Sequence, residues 1–287
     1  MIIRNLARAA IEKLQKTALQ EPFGWRGATC LLIDNYIIRK HKSKPHLSPS
    51  FADTQKIVQG LKSQGYYAIE NFISRQHCEL LVSRLDSALE KNPSLIHPAT
   101  PYDHRLHGVE QIDDEFLFFA QHPLLQEIAD IYLEEPARVA FTLGARLAAS
   151  PDNPGSGGGW HRDNFINQFK AMLYLTDTGS DNGPFQLLAG SHHLGRILKD
   201  NRILARPYGN VRMTEDDIDA LLAKTGPARL HTLTAKAGTV LLFDSRTIHR
   251  GAPIRKGVRY ALTDYFYPSR EITDELYRHF HPVARMN

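Results

Sequence analysis

Apolar residues recur along this chain with two periods, and the two periods occupy different stretches. Three- and four-residue spacing after Ser74 predicts a helix over 75–91, and helical segments are predicted over 116–132 with a break near Pro123. Short apolar runs bounded by Gly and polar residues predict strands at 66–69, 137–148, 169–175, 237–244 and 258–266. From 194 to 226 the chain turns polar, with one helix signalled by Thr214 followed by Glu215, Asp216 and Asp217, a cap and an acidic first turn. The pattern predicts a β core with flanking helices, interrupted by an insertion at about 194–226 that is suited to form a substrate lid.

Charge separates the first fifty residues from the rest. They carry nine Lys and Arg against three acids, a surplus of six, so the overall +4 leaves residues 51–287 at −2. A helical projection of 2–19 gathers Ile3, Leu6, Ala7, Ala10 and Leu14 on one side, with Arg4, Asn5, Arg8 and Glu12 largely opposite. Such a helix docks on the β core or lies on an anionic membrane surface, and the remaining alternative is a stretch with no fixed structure. A polar, Pro-containing linker over 40–50 follows, and 51–287 is expected to be one domain, since 42% apolar content suffices for a full core. Cys30 and Cys78 form no disulfide framework, which suits a reducing compartment. No apolar run reaches about 18 residues, and the start lacks the features of a secretory signal. The expected location is cytoplasmic, with peripheral contact at the inner membrane surface through residues 1–50. Nucleic acid is not an expected partner, because no basic-aromatic stripe accompanies the basic extension.

The chemistry concentrates in Trp160-His161-Arg162-Asp163 and, 86 residues beyond Asp163, His249. With 14 His and 18 Asp in 287 residues, roughly one His-x-Asp is expected by chance, so the tripeptide alone says little. Local geometry decides. His77-Cys78-Glu79 lies in the predicted helix, where residues two apart point about 200° away from each other. His161 and Asp163 follow Gly155-Ser156-Gly157-Gly158-Gly159 in a stretch favouring extended chain, where a period of two puts both on one face. Two His and one carboxylate form the facial set that holds non-haem Fe(II) with positions left open. The strand at 237–244 leads into His249, and a hairpin-like return through Gly251, Pro253 and Gly257 brings Arg259 near its level. The planar fork of an Arg there suits a carboxylate.

On these residues the chain resembles the phytanoyl-CoA dioxygenase family of Fe(II)- and 2-oxoglutarate-dependent oxygenases. The resemblance runs from about Gly65 to about Phe266. It includes Gly65-Tyr66-Tyr67-Ala68-Ile69-Glu70-Asn71-Phe72, Asp181-Asn182-Gly183-Pro184-Phe185 and Ala189-Gly190-Ser191-His192, the last differing from the family's usual Pro-Gly-Ser-His. It implies a double-stranded β-helix, or jelly roll, with iron on His161, Asp163 and His249. It also implies 2-oxoglutarate on Arg259, dioxygen as oxidant, and hydroxylation coupled to release of succinate and CO2. An intact Asp163 favours hydroxylation over halogenation.

Other readings of the same residues stay open here. Arg255 competes with Arg259 for the co-substrate, and Lys170 either helps bind it or points outward into solvent. His192 and His193 are expected to shape the mouth of the site rather than bind metal. The fold is also compatible with a non-catalytic ligand-binding jelly roll, or with a cupin-like metal hydrolase or isomerase. The substrate is read as a small molecule, sugar or lipid-linked compound, with the basic N-terminal segment favouring an anionic one.

Overall fold

The computed structural model describes residues 2–40, 49–98, 100–165 and 168–281, of which 2–9 and 38–40 are described by backbone alone. Two helices, α1 (Ile2–Ala18) and α2 (Trp25–Lys40), form a hairpin ahead of the rest. α3 (Thr54–Gln64), β1 (Tyr66–Ile69), α4 (Arg75–Lys91), β2 (Asp103–His107), α5 (Leu117–Ala120) and α6 (Pro123–Leu133) lead into β3 (Ala137–Ala148) and β4 (Phe169–Tyr174). Beyond β5 (Phe185–Leu188) come α7 (Leu194–Leu204), α8 (Glu215–Thr225), β6 (Leu230–Leu233), β7 (Val240–Asp244), β8 (His249–Gly251), β9 (Val258–Pro268) and α9 (Asp274–Phe280).

The strands form two antiparallel sheets that face each other. The larger has the order β1-β7-β4-β9-β3-β2, and the smaller β6-β5-β8, the jelly-roll arrangement expected from the sequence. Side-chain alternation assigns each face. Along β4, Phe169, Ala171 and Leu173 pack outward against Leu61 of α3, Leu81 and Leu85 of α4 and Ile128 of α6. Met172 and Tyr174 point inward with Leu241 and Phe243 of β7 to meet Phe185 and Leu187 of β5. Lys170 shares the inward parity, and it is buried.

Local signals explain several boundaries. The Ser74 side chain accepts a hydrogen bond from the backbone N–H of His77 and starts α4. Thr214 and Asp217 form a reciprocal capping box at α8, and Pro123 occupies the first turn of α6, where a missing N–H costs nothing.

Three expectations change. The hairpin-like return from His249 to Arg259 does not form: β8 pairs with β5 in the small sheet, while β9 lies between β4 and β3 in the large one, so the chain crosses between sheets. The N-terminal hairpin seats on the insertion rather than on the barrel wall, because Phe23 and Leu31 pack with Phe165 and with Ile197 of α7. The backbone N–H of Tyr208 donates to the Ala18 carbonyl at 3.1 Å, and its hydroxyl donates to Asp34. For the apolar side assigned to α1, Ala10 is exposed and Leu14 half-buried, whereas the side chains of Ile3, Leu6 and Ala7, like linker residues 41–48, lie outside the described residues. Finally, His192 and His193 do not shape the mouth. Their Nε2 atoms sit 3.1 and 3.2 Å from the carbonyls of Lys62 and Ser63, tying their loop to the last turn of α3.

Candidate metal centre and active site

Backbone pairing brings the two halves of the site together. His161 and His249 exchange hydrogen bonds, N–H to carbonyl, at 2.9 and 2.8 Å, and the N–H of Asp163 donates to the Ser245 carbonyl at 3.0 Å. Residue 161 thus extends the small sheet beyond β8, and alternation turns His161 and Asp163 inward while Arg162 points the other way. The glycine-rich approach is a steric necessity. A Cβ on Gly157, whose φ is +84°, would lie 2.2 Å from Cε1 of His161, and one on Gly155, with φ +91°, would lie 2.0 Å from the Gly251 carbonyl.

Each imidazole is oriented from behind. His161 Nδ1 lies 2.8 Å from the Gly159 carbonyl and His249 Nδ1 lies 2.7 Å from the Thr247 carbonyl. A carbonyl only accepts, so Nδ1 carries a proton on both rings, which leaves Nε2 as the nitrogen turned toward the cavity. One ligand atom from each of His161, Asp163 and His249 falls within 4.8 Å of the others. Among the described residues no other group of His, Cys, Asp and Glu meets that spacing. His77, the competing match, instead faces Glu115 at 3.1 Å.

The electrostatics suit a divalent cation. Burial opposes ionisation of Asp163, yet the neighbouring Lys170 ammonium holds its carboxyl well below the usual carboxylate range. Burial and the neighbouring His161 push His249 down to about 3, which keeps the ring neutral. Lys170 Nζ lies 2.6 Å from Asp163 Oδ2 and 3.9 Å from the centre of the Tyr265 ring. Its role as a co-substrate ligand is therefore less well served than its role as a brace for the Asp163 carboxylate.

These groups line a cavity of about 300 Å³ between the sheets. Arg259, 2% exposed, reaches it from β9 and donates to the Gly183 carbonyl. Its Nε has no partner among the described residues. An unpaired N–H on a buried guanidinium is costly, and an incoming carboxylate would satisfy it. Arg255 does not join the site: it stands exposed in the loop after β8, its backbone N–H held 2.7 Å from the Asp181 carbonyl. A larger depression of about 740 Å³ lies outside the barrel beside Glu127 and Arg138, away from the metal-binding donors.

With this geometry, comparison with known proteins decides the family. The phytanoyl-CoA dioxygenase family model matches residues 61–258, roughly two-thirds of the chain. The chain belongs to the phytanoyl-CoA dioxygenase family. Ectoine dioxygenases of Bordetella parapertussis and Bordetella bronchiseptica are each 24% identical over 217 residues, covering 67% of this chain and 68% of theirs. Among solved structures, the non-haem alpha-ketoglutarate-dependent carbocyclase SnoK of nogalamycin biosynthesis superposes with a TM-score of 0.58 at 22% identity, over 77% of this chain and 84% of that one. HygX of Streptomyces hygroscopicus, solved with nickel, 2-oxoglutarate and hygromycin B, gives 0.54 at 16% identity over 75% and 87%. These likenesses share the fold. As a family member with an assembled His-Asp-His group, the protein is a non-haem iron, 2-oxoglutarate-dependent dioxygenase. The non-catalytic and 2-oxoglutarate-independent readings fall away.

Three further residues at the site were not singled out in the sequence. Arg105, on β2, faces the cavity with both its Nε and Nη2 held by Asp103 at 2.7 and 2.6 Å. Arg212, in the insertion, donates to the Gly157 carbonyl and lines the same wall. Arg162, fully buried between the two proximal donors, donates to the Ser191 carbonyl at 2.6 Å and to Asp200 of α7 at 3.0 Å. The signal for Arg162 was its position: the residue between two inward ligands must point to the opposite side.

Proposed function

We propose that this dioxygenase hydroxylates a small molecule bearing an anionic group, with His161, Asp163 and His249 as iron ligands and Arg259 as the anchor for the distal carboxylate of 2-oxoglutarate. The observation that carries the reading is the convergence of three donor atoms within 4.8 Å, in the same cavity as a buried guanidinium with an unsatisfied N–H. Iron bound there supplies oxidative chemistry driven by decarboxylation of 2-oxoglutarate. The protein's own part is positional. The Gly159 and Thr247 carbonyls aim the Nε2 atoms of two imidazoles inward, Lys170 keeps Asp163 ionised and directed, and the paired sheets enclose the centre.

Charge supports the anionic substrate. Within the cavity Lys170 is matched by Asp163 and Arg105 by Asp103, while Arg259 is committed to 2-oxoglutarate in this reading. Arg212 donates to a carbonyl, and among the described residues no carboxylate pairs with it. A substrate carboxylate, phosphate or sulfate entering past the insertion would supply that partner, and lipid-linked anions belong to the same class.

The test is anaerobic titration with Fe(II) and 2-oxoglutarate, followed by succinate release with small carboxylate- and phosphate-bearing compounds. Wild type should develop a metal-to-ligand charge-transfer band that His161→Ala lacks; persistence of the band in the variant would refute the ligand assignment. Arg212→Ala should raise the KM for the stimulating compound and leave that for 2-oxoglutarate unchanged. Equal substrate KM values would remove the anion from the reading and leave the metal site intact.

A further inference from the structure

Helix α2 is apolar on two opposite faces, and only one of them is covered. Gly27, Cys30 and Leu31 are buried on the face turned toward the insertion. On the opposite side, Trp25, Leu32 and Tyr36 follow one another at intervals of seven and four residues, within a narrow arc of the helix. They are 67%, 50% and 65% exposed. Ile37, the residue after Tyr36, is also exposed, so four of the ten large apolar side chains exposed among the described residues lie on this one helix. Scattered exposed apolar residues are ordinary, whereas a cluster aligned on one helix face marks an interaction surface.

The charge of this segment in sequence favours one partner. Arg26 stacks over the Trp25 ring at 4.9 Å while pairing with Glu21 at 2.7 Å, and Arg39 and Lys40 are the last two residues of the helix in sequence. The first fifty residues carry six surplus positive charges in a chain whose remainder is at −2. A second copy of this chain would bring another strongly basic segment against the first, which like-charge repulsion opposes. An anionic bilayer complements both properties: indole and phenol rings settle at the headgroup boundary, leucines enter the acyl layer, and basic side chains meet acidic headgroups. We infer that the outer face of α2, centred on Trp25, Leu32 and Tyr36, is a docking surface for an anionic membrane. No helix among the described residues is long and apolar enough to cross a bilayer, so the contact would be peripheral. The inner face of the same helix packs on the insertion that carries Arg212, which joins the docking surface mechanically to a wall of the active-site cavity.

The experiment uses the full chain with phosphatidylcholine vesicles and with vesicles in which a third of the lipid is phosphatidylglycerol. The protein should sediment with the acidic vesicles and be released by high salt. Its fluorescence should shift to the blue as vesicles are added. The chain has two tryptophans, and Trp160 is 2% exposed, so the shift reports Trp25. The triple variant Trp25→Ser/Leu32→Ser/Tyr36→Ser should lose at least roughly tenfold in vesicle partitioning while keeping its Fe(II) and 2-oxoglutarate absorbance band. Equal binding to neutral and acidic vesicles, or no blue shift in wild type, would overturn the inference even if the variant failed to fold. A wild-type dimer in solution that becomes monomeric in the variant would also overturn it and assign the face to a second copy.

Discussion

The two faces of the large sheet are built by the same strands and do different work. Outward-pointing Phe169, Ala171, Leu173, Val240 and Leu242 meet helices in an apolar layer. One residue along, the inward positions mix apolar side chains with Lys170 and Arg259 around the metal-binding donors. Both faces are buried, so burial alone does not separate core from chemistry. What separates them is the gathering of charged groups on one cavity: Lys170 is paired with Asp163 there, and the Arg259 Nε has no partner among the described residues.

Substitutions that hit one face should leave the other's readout untouched. On the outer face, Leu242→Ala removes a fully buried side chain and should destabilise the protein by about 2–5 kcal/mol. Denaturant unfolding measures that loss, and the 2-oxoglutarate KM of the folded fraction should not move. On the inner face the effects reverse: Arg259→Ala should raise the 2-oxoglutarate KM by roughly 30- to 1,000-fold, the equivalent of about 2–4 kcal/mol for losing a buried charged partner. Fe(II) binding, followed by equilibrium dialysis, should be largely retained.

A third prediction concerns His192, outside the cavity. Burial pushes its pKa down to about 4, so between that value and about 6.5 the unfolded chain binds a proton that the folded protein does not. Its contribution is fully present above about pH 6.5 and is lost as pH falls toward 4; at pH 5 the loss is about 2 kcal/mol. His192→Asn should flatten the stability-versus-pH curve in that window, as read by unfolding at several pH values. The smallest effect belongs to Arg255→Ala, for which neither stability nor the 2-oxoglutarate KM should change measurably. A clear rise in that KM would move the co-substrate anchor away from Arg259.

The site was legible in sequence where periodicity and chemistry coincided. His161 and Asp163 could be placed on one face because an extended chain repeats every two residues, and the helix around His77 removed the competing match. The strands at 137–148 and 258–266 are long enough for their pattern to show. Other parts left weaker traces. β2 reads Asp-His-Arg-Leu-His, with too few apolar residues to announce a strand, so Arg105 passed unnoticed. The strands of the small sheet are three or four residues long, too short for any period to emerge. β4 is buried at all six positions, and a strand covered on both sides loses the alternation that would have turned Lys170 inward. α2 hid for a related reason: with apolar residues on opposite sides it presents no single stripe.

The mutual backbone pairing of His161 and His249 has a consequence for how the centre can fail. Because side chains on neighbouring strands change sides with each step of register, a slip by one residue would carry a donor out of the cavity and bring its neighbour in. A slip one way would put Arg162 or Arg250 where an imidazole should be, and a slip the other way Trp160 or Ile248. A chain paired out of register at this rung would therefore lack one of its donors.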